Sequence, residues 1–395
     1  MHSNCIKDLF NLKGFIIKSI KNSENFVEIN IELPVLEHIC PCCGTKTSKI
    51  HDYYKQPITD IPIHFKPTKI IYKKRRYECP YCHKAFFENN NIVNRYARKT
   101  TRLTAYIVDQ LRNLDSISNI SKRTNVDPGY ISKMLPYLAV TNTHLPKVLC
   151  IDEFKDNSGH YKYQVALIDG ETHDVIDILE CRHKHVLCDY FKKFPKEQLD
   201  NVKYFVTDLW ETYKDISFTY FRKAKVIADH FHWIRYASNA LDSIRIEVQS
   251  NLPKSERKYF KHSRYLLLSR RCNLKEDKYD ELENMLINYS ENLRIAYREK
   301  EEMLDILHSN ESSENKINKF SEWVKRNLES DIPQLKECAQ TYHHWYNEIK
   351  NSLQVPYSNG ATEGFNNKIK VLKRVSFGIR NFTHFKARIM LLNRG

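Results

Sequence analysis

Lys147-Val-Leu-Cys-Ile-Asp-Glu-Phe154 and Lys203-Tyr-Phe-Val-Thr-Asp-Leu-Trp210 are the two stretches whose reading decides the fold. Each is a short apolar run that ends on an aspartate, Asp152 in the first and Asp208 in the second. Runs of this length, rich in β-branched and aromatic residues, read as buried strands. Lys147–Phe154 is the first strand, Gly159–Gly170 the second and Asp174–Glu180 the third, with connections short enough for an antiparallel meander. A helical stretch from His183 to Phe194 leads to strand Tyr204–Thr207, which ends at Asp208. A further helix leads to strand Lys225–Ala228, which ends at Asp229, and His230–Arg245 again reads as helix. The expected order is β-β-β-α-β-α-β-α.

That order is the order of the ribonuclease H-like fold, an α/β core on a mixed five-stranded sheet. In that fold an Asp on the first strand lies beside an Asp at the end of the fourth, and Asp152 and Asp208 fall at those places. Side chains alternate across a strand, so Glu153 is expected to point away from Asp152. A third carboxylate comes from Ser358-Asn-Gly-Ala-Thr-Glu-Gly-Phe-Asn-Asn-Lys-Ile-Lys-Val-Leu-Lys-Arg374. Glu363 sits near the start of this amphipathic helix, which Ser358 or Asn359 can cap. Asn366, Asn367, Lys370, Lys373 and Arg374 share its face, while Phe365, Ile369 and Leu372 lie opposite and pack on the sheet. Three carboxylates at strand ends and on a helix can hold two Mg²⁺ ions, with Mn²⁺ a substitute. Such a pair clamps the attacking and leaving oxygens of a phosphodiester. The plain alternative is a surface helix with one Glu at its positive end; the setting of the other two acids argues against it. In Ala228-Asp-His-Phe-His-Trp233, Asp229 and His232 crowd a strand end and read as supporting residues.

Composition agrees with a polyanionic partner. The 395 residues are enough for two to four domains, and 63 Lys+Arg against 48 Asp+Glu give a net charge of +15. No signal-peptide h-region and no membrane-length apolar run are present, so a soluble intracellular protein is expected. Its 11 cysteines are then expected to be thiols rather than disulfides. Four of them, Cys40, Cys43, Cys79 and Cys82, form two Cys-x-x-Cys knuckles, which supply the four soft ligands of a structural Zn²⁺. Cys42 makes the first knuckle ambiguous by one position. The segment between them reads as strands, Lys69–Tyr77 above all, with Pro57, Pro62 and Pro67 as breakers: a zinc ribbon with an extended insert. Lys73, Lys74, Arg75 and Arg76 offer phosphate contacts, or else a solvated strand face.

Residues 100–140 read as three short helices with a tight second turn, a helix-turn-helix. Thr101 can cap the first, which carries Leu103, Ile107, Leu111 and Leu114. Ser116 can cap the second, with Ile117 and Ile120 buried. After a turn at Asn125, Asp127-Pro128 is a cap with Pro at the first helical position. The last helix, shortened or kinked by Pro136, is the one to enter a major groove, with Lys122, Arg123, Ser132 and Lys133 as contacts. Arg95, Arg98, Lys99 and Arg102 can track backbone phosphates. Residues 241–350 carry no strand signal and read as an all-helical insertion, with Trp323 and Trp345 in its core.

Together these motifs resemble the DDE transposases of bacterial insertion sequences of the ISL-three type. The resemblance rests on CPCCG, CPYC, IDEF, VTDLW, ADHFHWIRYASNALD and SNGATEGFNNKIKVLKR and covers nearly the whole chain. It implies that Asp152, Asp208 and Glu363 are the catalytic carboxylates and that Cys40, Cys43, Cys79 and Cys82 are the zinc ligands. It implies Mg²⁺-dependent cleavage and strand transfer of double-stranded DNA at terminal inverted repeats, with no covalent enzyme intermediate. It also implies a homodimer when two element ends are synapsed, and a bacterial, cytoplasmic protein associated with the nucleoid when bound to DNA. The expected organisation is N-terminal segment and zinc ribbon at 1–94, helix-turn-helix at 95–144 and first part of the core at 145–240. The helical insertion follows at 241–350, and 351–395 complete the core. A catalytically silent DNA-binding regulator is the alternative, against which the intact carboxylates argue; a junction resolvase would not need both N-terminal modules.

Overall fold

The computed structural model describes residues 10–94, 96–139, 141, 143–156 and 158–393, and the side chains of Ala361 and Glu363 lie outside that description. Two compact units emerge: Met1–Val140 with Val371–Gly395, and Thr141–Lys370.

The first unit begins with seven strands: β1 (Ile16–Asn22), β2 (Val27–Glu32), β3 (His38–Ile39), β4 (Lys46–Thr47), β5 (Ile50–Ile63), β6 (Lys66–Glu78) and β7 (Ala85–Phe87). They form a sheet in the order β1-β2-β6-β5, with β7 also on β6, and a separate β3-β4 pair. Ile29, Ile58, Ile70 and Tyr72 are fully buried in its core. The prolines expected to break strands sit inside β5 and β6 instead. Strand β5 is a sheet edge, where a missing N–H is tolerated. Pro67 precedes the first β2–β6 pair, Val27↔Thr68.

Three helices follow: α1 (Thr101–Leu111), α2 (Ile117–Thr124) and α3 (Pro128–Leu138). Thr100, not Thr101, caps α1, accepting from Leu103 N, because its own backbone is still extended. Ser116 caps α2, Asn125 turns the chain in the left-handed region at φ 52°, and Asp127 caps α3 ahead of Pro128. Helix α3 runs past Pro136 to Leu138. Leu114, expected on the buried face of α1, lies beyond that helix and is 43% exposed.

The last helix of the chain, Phe382–Leu392, belongs to this unit and differs from the expectation that 351–395 complete the core. Ala387 and Leu391 join Leu103, Ile107, Ile131 and Leu135 in one apolar cluster. Arg388 is fully buried, and its Nη2 donates to Asn113 O at 3.0 Å and Asp115 O at 2.8 Å. It thereby pins two carbonyls of the loop between α1 and α2 to the last helix. Which cluster this helix joins is a tertiary choice that local sequence does not encode.

The second unit holds a five-stranded sheet of β8 (Val148–Lys155), β9 (Tyr163–Asp169), β10 (Val175–Leu179), β11 (Tyr204–Thr207) and β12 (Lys225–Ala228). Their order is β10-β9-β8-β11-β12. The β8-β9-β10 meander is antiparallel, and β8, β11 and β12 run parallel, so the sheet is mixed. Helices α4 (Lys184–Phe191), α5 (Lys196–Asn201) and α6 (Glu211–Tyr220) lie among the connections, and Leu187, Phe191, Tyr213 and Ile216 share one core with Leu149, Ile151 and Phe205. Helix α7 (His230–Asn251) runs past the expected end at Arg245, because no breaker occurs before Leu252-Pro253. The insertion beyond it is all helical in its described residues. Its core includes Trp233, Trp323, Tyr342 and Trp345, so both expected core tryptophans are buried.

Candidate catalytic site

Sheet register brings the strand-end acids together. Strands β8 and β11 pair Tyr204↔Val148, Phe205↔Leu149 and Val206↔Cys150; β11 and β12 pair through Thr207↔Ala228. Carried onward, these registers set Asp208 level with Asp152 and Asp229 level with Asp208. Leu149, Ile151 and Phe205 enter the apolar core on one face, so alternation turns Cys150, Asp152, Val206 and Asp208 to the other. Glu153 is on the core side, as expected. Its carboxylate accepts from Arg182 Nη1 at 2.7 Å and Tyr213 hydroxyl at 3.2 Å. The Arg182 guanidinium lies over the rings of Tyr163 and Trp210.

A loop and a helix close the acid-bearing face. Asp229, 3% exposed, accepts from Asn359 N at 2.8 Å, and Asn359 Nδ2 donates to Ile151 O at 3.2 Å. Asn359 thus ties the loop to two strands rather than capping the next helix with its side chain, while Ser358 Oγ accepts from Gly360 N. The helix Gly360–Val375 buries Phe365, Ile369 and Leu372 and exposes Asn367, Lys370 and Arg374, the division its sequence called for. Asn366 Nδ2 donates to Asp152 Oδ2 at 3.0 Å, and Glu153 N donates to Asp152 Oδ1 at 2.7 Å. Glu363 precedes Asn366 by three positions on this helix, and its side chain lies outside the described residues.

The electrostatics of the pair are those of crowded, desolvated acids. Burial pushes Asp152 up to about 6; neighbouring Asp208 and Asp229 add to this, while the Glu153 N–H and His232 oppose it. Burial pushes Asp208 up to about 7, with Glu153 the leading charge and Asp229 another, against Thr207 and Arg182. The imidazole of His230 meets Ser352 O at 2.8 Å, a structural bond, whereas His232 acts on Asp152 through space. Among the described residues, Asn359 Oδ1, Thr362 Oγ1 and Asn366 Oδ1 are buried without a hydrogen-bond partner. Buried acceptors left unpaired call for water or a cation. Hard oxygen donors of this kind suit Mg²⁺, which binds through one or two carboxylates and keeps several waters.

The sulfur site is separate. Cys40, Cys43, Cys79 and Cys82 place their sulfurs within 4.8 Å of one another, and among the described residues they alone form a cluster of three or more such ligands. Cys40 and Cys82 sulfurs are 3.6 Å apart, Cys43 and Cys79 3.5 Å. A tetrahedral Zn²⁺ about 2.3 Å from each thiolate requires sulfurs about 3.8 Å apart, so the cluster fits it. Cys42 is exposed and outside the cluster; its N–H donates to Cys40 Sγ at 3.5 Å. That resolves the first knuckle in favour of Cys43.

The basic residues divide by burial. Arg75 is 3% exposed, donates to Leu33 O and pairs with Glu88 and Glu32, so the expected phosphate contact does not hold for it. Arg76 pairs with Asp52, Lys73 lies over Tyr53 and Lys74 over Phe87. Arg102 pairs with buried Asp60. In the helix-turn-helix, Lys122 and Lys133 are exposed, Ser132 is half-buried, and Arg123 pairs with Asp115. Lys99 lies 3.6 Å from the Tyr130 ring centroid, and Arg95 is outside the described residues. On the last helix of the site, Lys370 donates to Asn367 Oδ1 and Lys373 is half-buried.

The transposase family model DDE_Tnp_ISL3 matches residues 149–389, more than half of the chain. The chain belongs to this transposase family. Two further matches cover its N-terminal part: the zinc-finger of transposase IS204/IS1001/IS1096/IS1165 at residues 37–82, and the helix-turn-helix domain of transposase family ISL3 at residues 88–133. A zinc ribbon and a helix-turn-helix therefore precede the transposase domain. The chain is similar to the transposase for insertion sequence element IS1001 of Bordetella parapertussis, with 24% identity over 89% of this chain and 87% of the relative. It is also similar to a Lactococcus lactis subsp. lactis protein named ATP-dependent protease, 36% identical over 27% of this chain and 32% of that protein. The present sequence contains no Gly-x-x-x-x-Gly-Lys-Ser/Thr phosphate loop. No helix among the described residues is long and apolar enough to cross a membrane.

The sequence reading missed Asn359 and Arg182. Asn359 was legible as a residue at a helix start, but its bond to Ile151 O joins positions 208 apart in the chain. Arg182 has no local signal; its ring and carboxylate partners converge only in the folded sheet.

Proposed function

We propose that this transposase binds the terminal inverted repeats of its insertion sequence and catalyses DNA strand cleavage and strand transfer on a ribonuclease H-like core. The observation that carries this reading is the level register of Asp152 and Asp208 on adjacent parallel strands, with the helix that bears Glu363 hydrogen-bonded to Asp152 through Asn366. Asp152, Asp208 and Glu363 would hold Mg²⁺. When bound, Mg²⁺ supplies an activated water and neutralises charge on the attacking and leaving oxygens. The chain's own residues prepare that site. Asn366 fixes the orientation of the Asp152 carboxylate. The Asn359 loop holds Asp229 against the strand ends. Lys370, Lys373 and Arg374 would bind phosphates near the reacting strand, and Lys133 and Lys73 would bind duplex phosphates as well. Two element ends must meet for transfer, so the active form is a homodimer. The test is a labelled duplex carrying the element end, incubated with Mg²⁺ and, separately, with chelator. Metal-dependent nicking at the end supports the reading. Tight binding without nicking under any divalent cation would refute the catalytic part of it.

A further inference from the structure

The helical insertion carries an exposed line of cations that the proposed chemistry does not use. Helices Lys254–His262 and Arg264–Leu268 follow one another. Helical bonding continues through Ser263, whose N–H donates to Tyr259 O at 3.0 Å while its carbonyl accepts from Leu267 N at 3.2 Å. At about 3.6 residues per turn, Lys254, Lys258, Lys261 and Tyr265 fall within about 60° of arc. All three lysines are exposed and Tyr265 is 81% exposed. Phe260 and Leu267, fully buried, lie on the opposite side and anchor the stripe to the insertion core.

Pairing distinguishes these lysines from neighbouring cations. A cleft of about 800 Å³ nearby is lined by Arg270, Arg271, Arg294 and Arg298, but each of these meets a carboxylate. Lys254, Lys258 and Lys261 make no ion pair or side-chain hydrogen bond among the described residues. Arg257, on the same helix, donates only to the carbonyls of Ser250 and Leu252, so its charge is not neutralised either. The one acid of that helix, Glu256, bonds the Tyr289 side chain, away from the stripe. The result is a line of uncompensated positive charge about 10 Å long, over which duplex DNA carries about six phosphate charges.

We propose that Lys254, Lys258 and Lys261 bind the phosphate backbone of duplex DNA as a sequence-independent contact of the insertion. The inference rests on the DNA reading above and adds a surface to it. Lysine is a point charge that holds a phosphate without reading a base edge. A membrane surface fits less well, because an interfacial helix must present its apolar face outward, and here that face is buried in protein.

The test uses the full chain, wild type beside K254Q/K258Q/K261Q. Two duplexes of equal length are used, one carrying the element end and one unrelated, between 50 and 200 mM salt. Three phosphate contacts contribute about 2.7 to the slope of log affinity against log salt, so over this fourfold range the wild type loses about 40-fold more affinity than the variant. The same loss is expected on both duplexes, leaving the preference for the end unchanged. Thermal unfolding should coincide for the two proteins, because all three side chains are exposed. An unchanged slope, with wild type still preferring the element end, overturns this inference alone. Failure of the wild type to bind either duplex overturns the DNA reading and this inference with it.

Discussion

Asp208→Asn is expected to stabilise the metal-free protein at neutral and alkaline pH while abolishing strand cleavage. Burial, Glu153 and Asp229 push Asp208 from 3.8 up to about 7. The folded state therefore holds a proton on this residue that the unfolded chain releases above about pH 4. Stability from that proton is complete below pH 4 and is lost as pH rises through about 7. The displacement is roughly three units, or about 4 kcal/mol at the limit. Screening by water at the open end of the strand and sharing of repulsion with Asp229 reduce the expected gain to about 2–3 kcal/mol. Asparagine keeps the shape and removes the charge. Chemical denaturation in chelator at pH 8 should show the variant more stable by that amount, with the difference vanishing near pH 4. Added Mg²⁺ should stabilise the wild type and leave the variant nearly unmoved. A variant less stable than wild type at pH 8 would refute the reasoning, since Asp208 would then be a favourably placed charge.

Glu153→Gln removes the leading negative charge acting on Asp208; the acidic limb of the cleavage rate against pH should move to lower pH, and a move to higher pH would contradict the assignment. Cys79→Ser should release about one zinc per chain and unfold the ribbon, whereas Cys42→Ser should retain it, as metal analysis of the purified proteins would show. Arg388→Ala removes two carbonyl bonds and leaves a cavity between the last helix and α1; a loss of about 3–5 kcal/mol is expected, read as hydrogen-exchange protection lost across Thr101–Leu138.

Much of the second unit was legible because strand ends announce themselves. A short apolar run stopping at an acid fixes both the element and the residue it presents, and β11 and β12 fall where the runs stop. The helix bearing Glu363 was legible for the complementary reason: Phe365, Ile369 and Leu372 recur at helical spacing and are the residues it buries. Pairings between distant residues were not legible. Arg75 stood in a basic run that looked like a phosphate contact, yet Glu32 and Glu88 draw it into the interior. Burial of this guanidinium is offset by those two carboxylates, and nothing local names them. The prolines of β5 and β6 read as breakers because edge position and pairing limits are properties of the sheet, not of the residue.

The most direct test of the central claim is cleavage of a labelled duplex carrying the element's own end, in Mg²⁺, by wild type and by Glu363→Gln. The account predicts nicking at the element end by wild type and none by the variant, with both binding the duplex equally. Equal nicking by the two proteins would contradict it and remove Glu363 from the catalytic carboxylates.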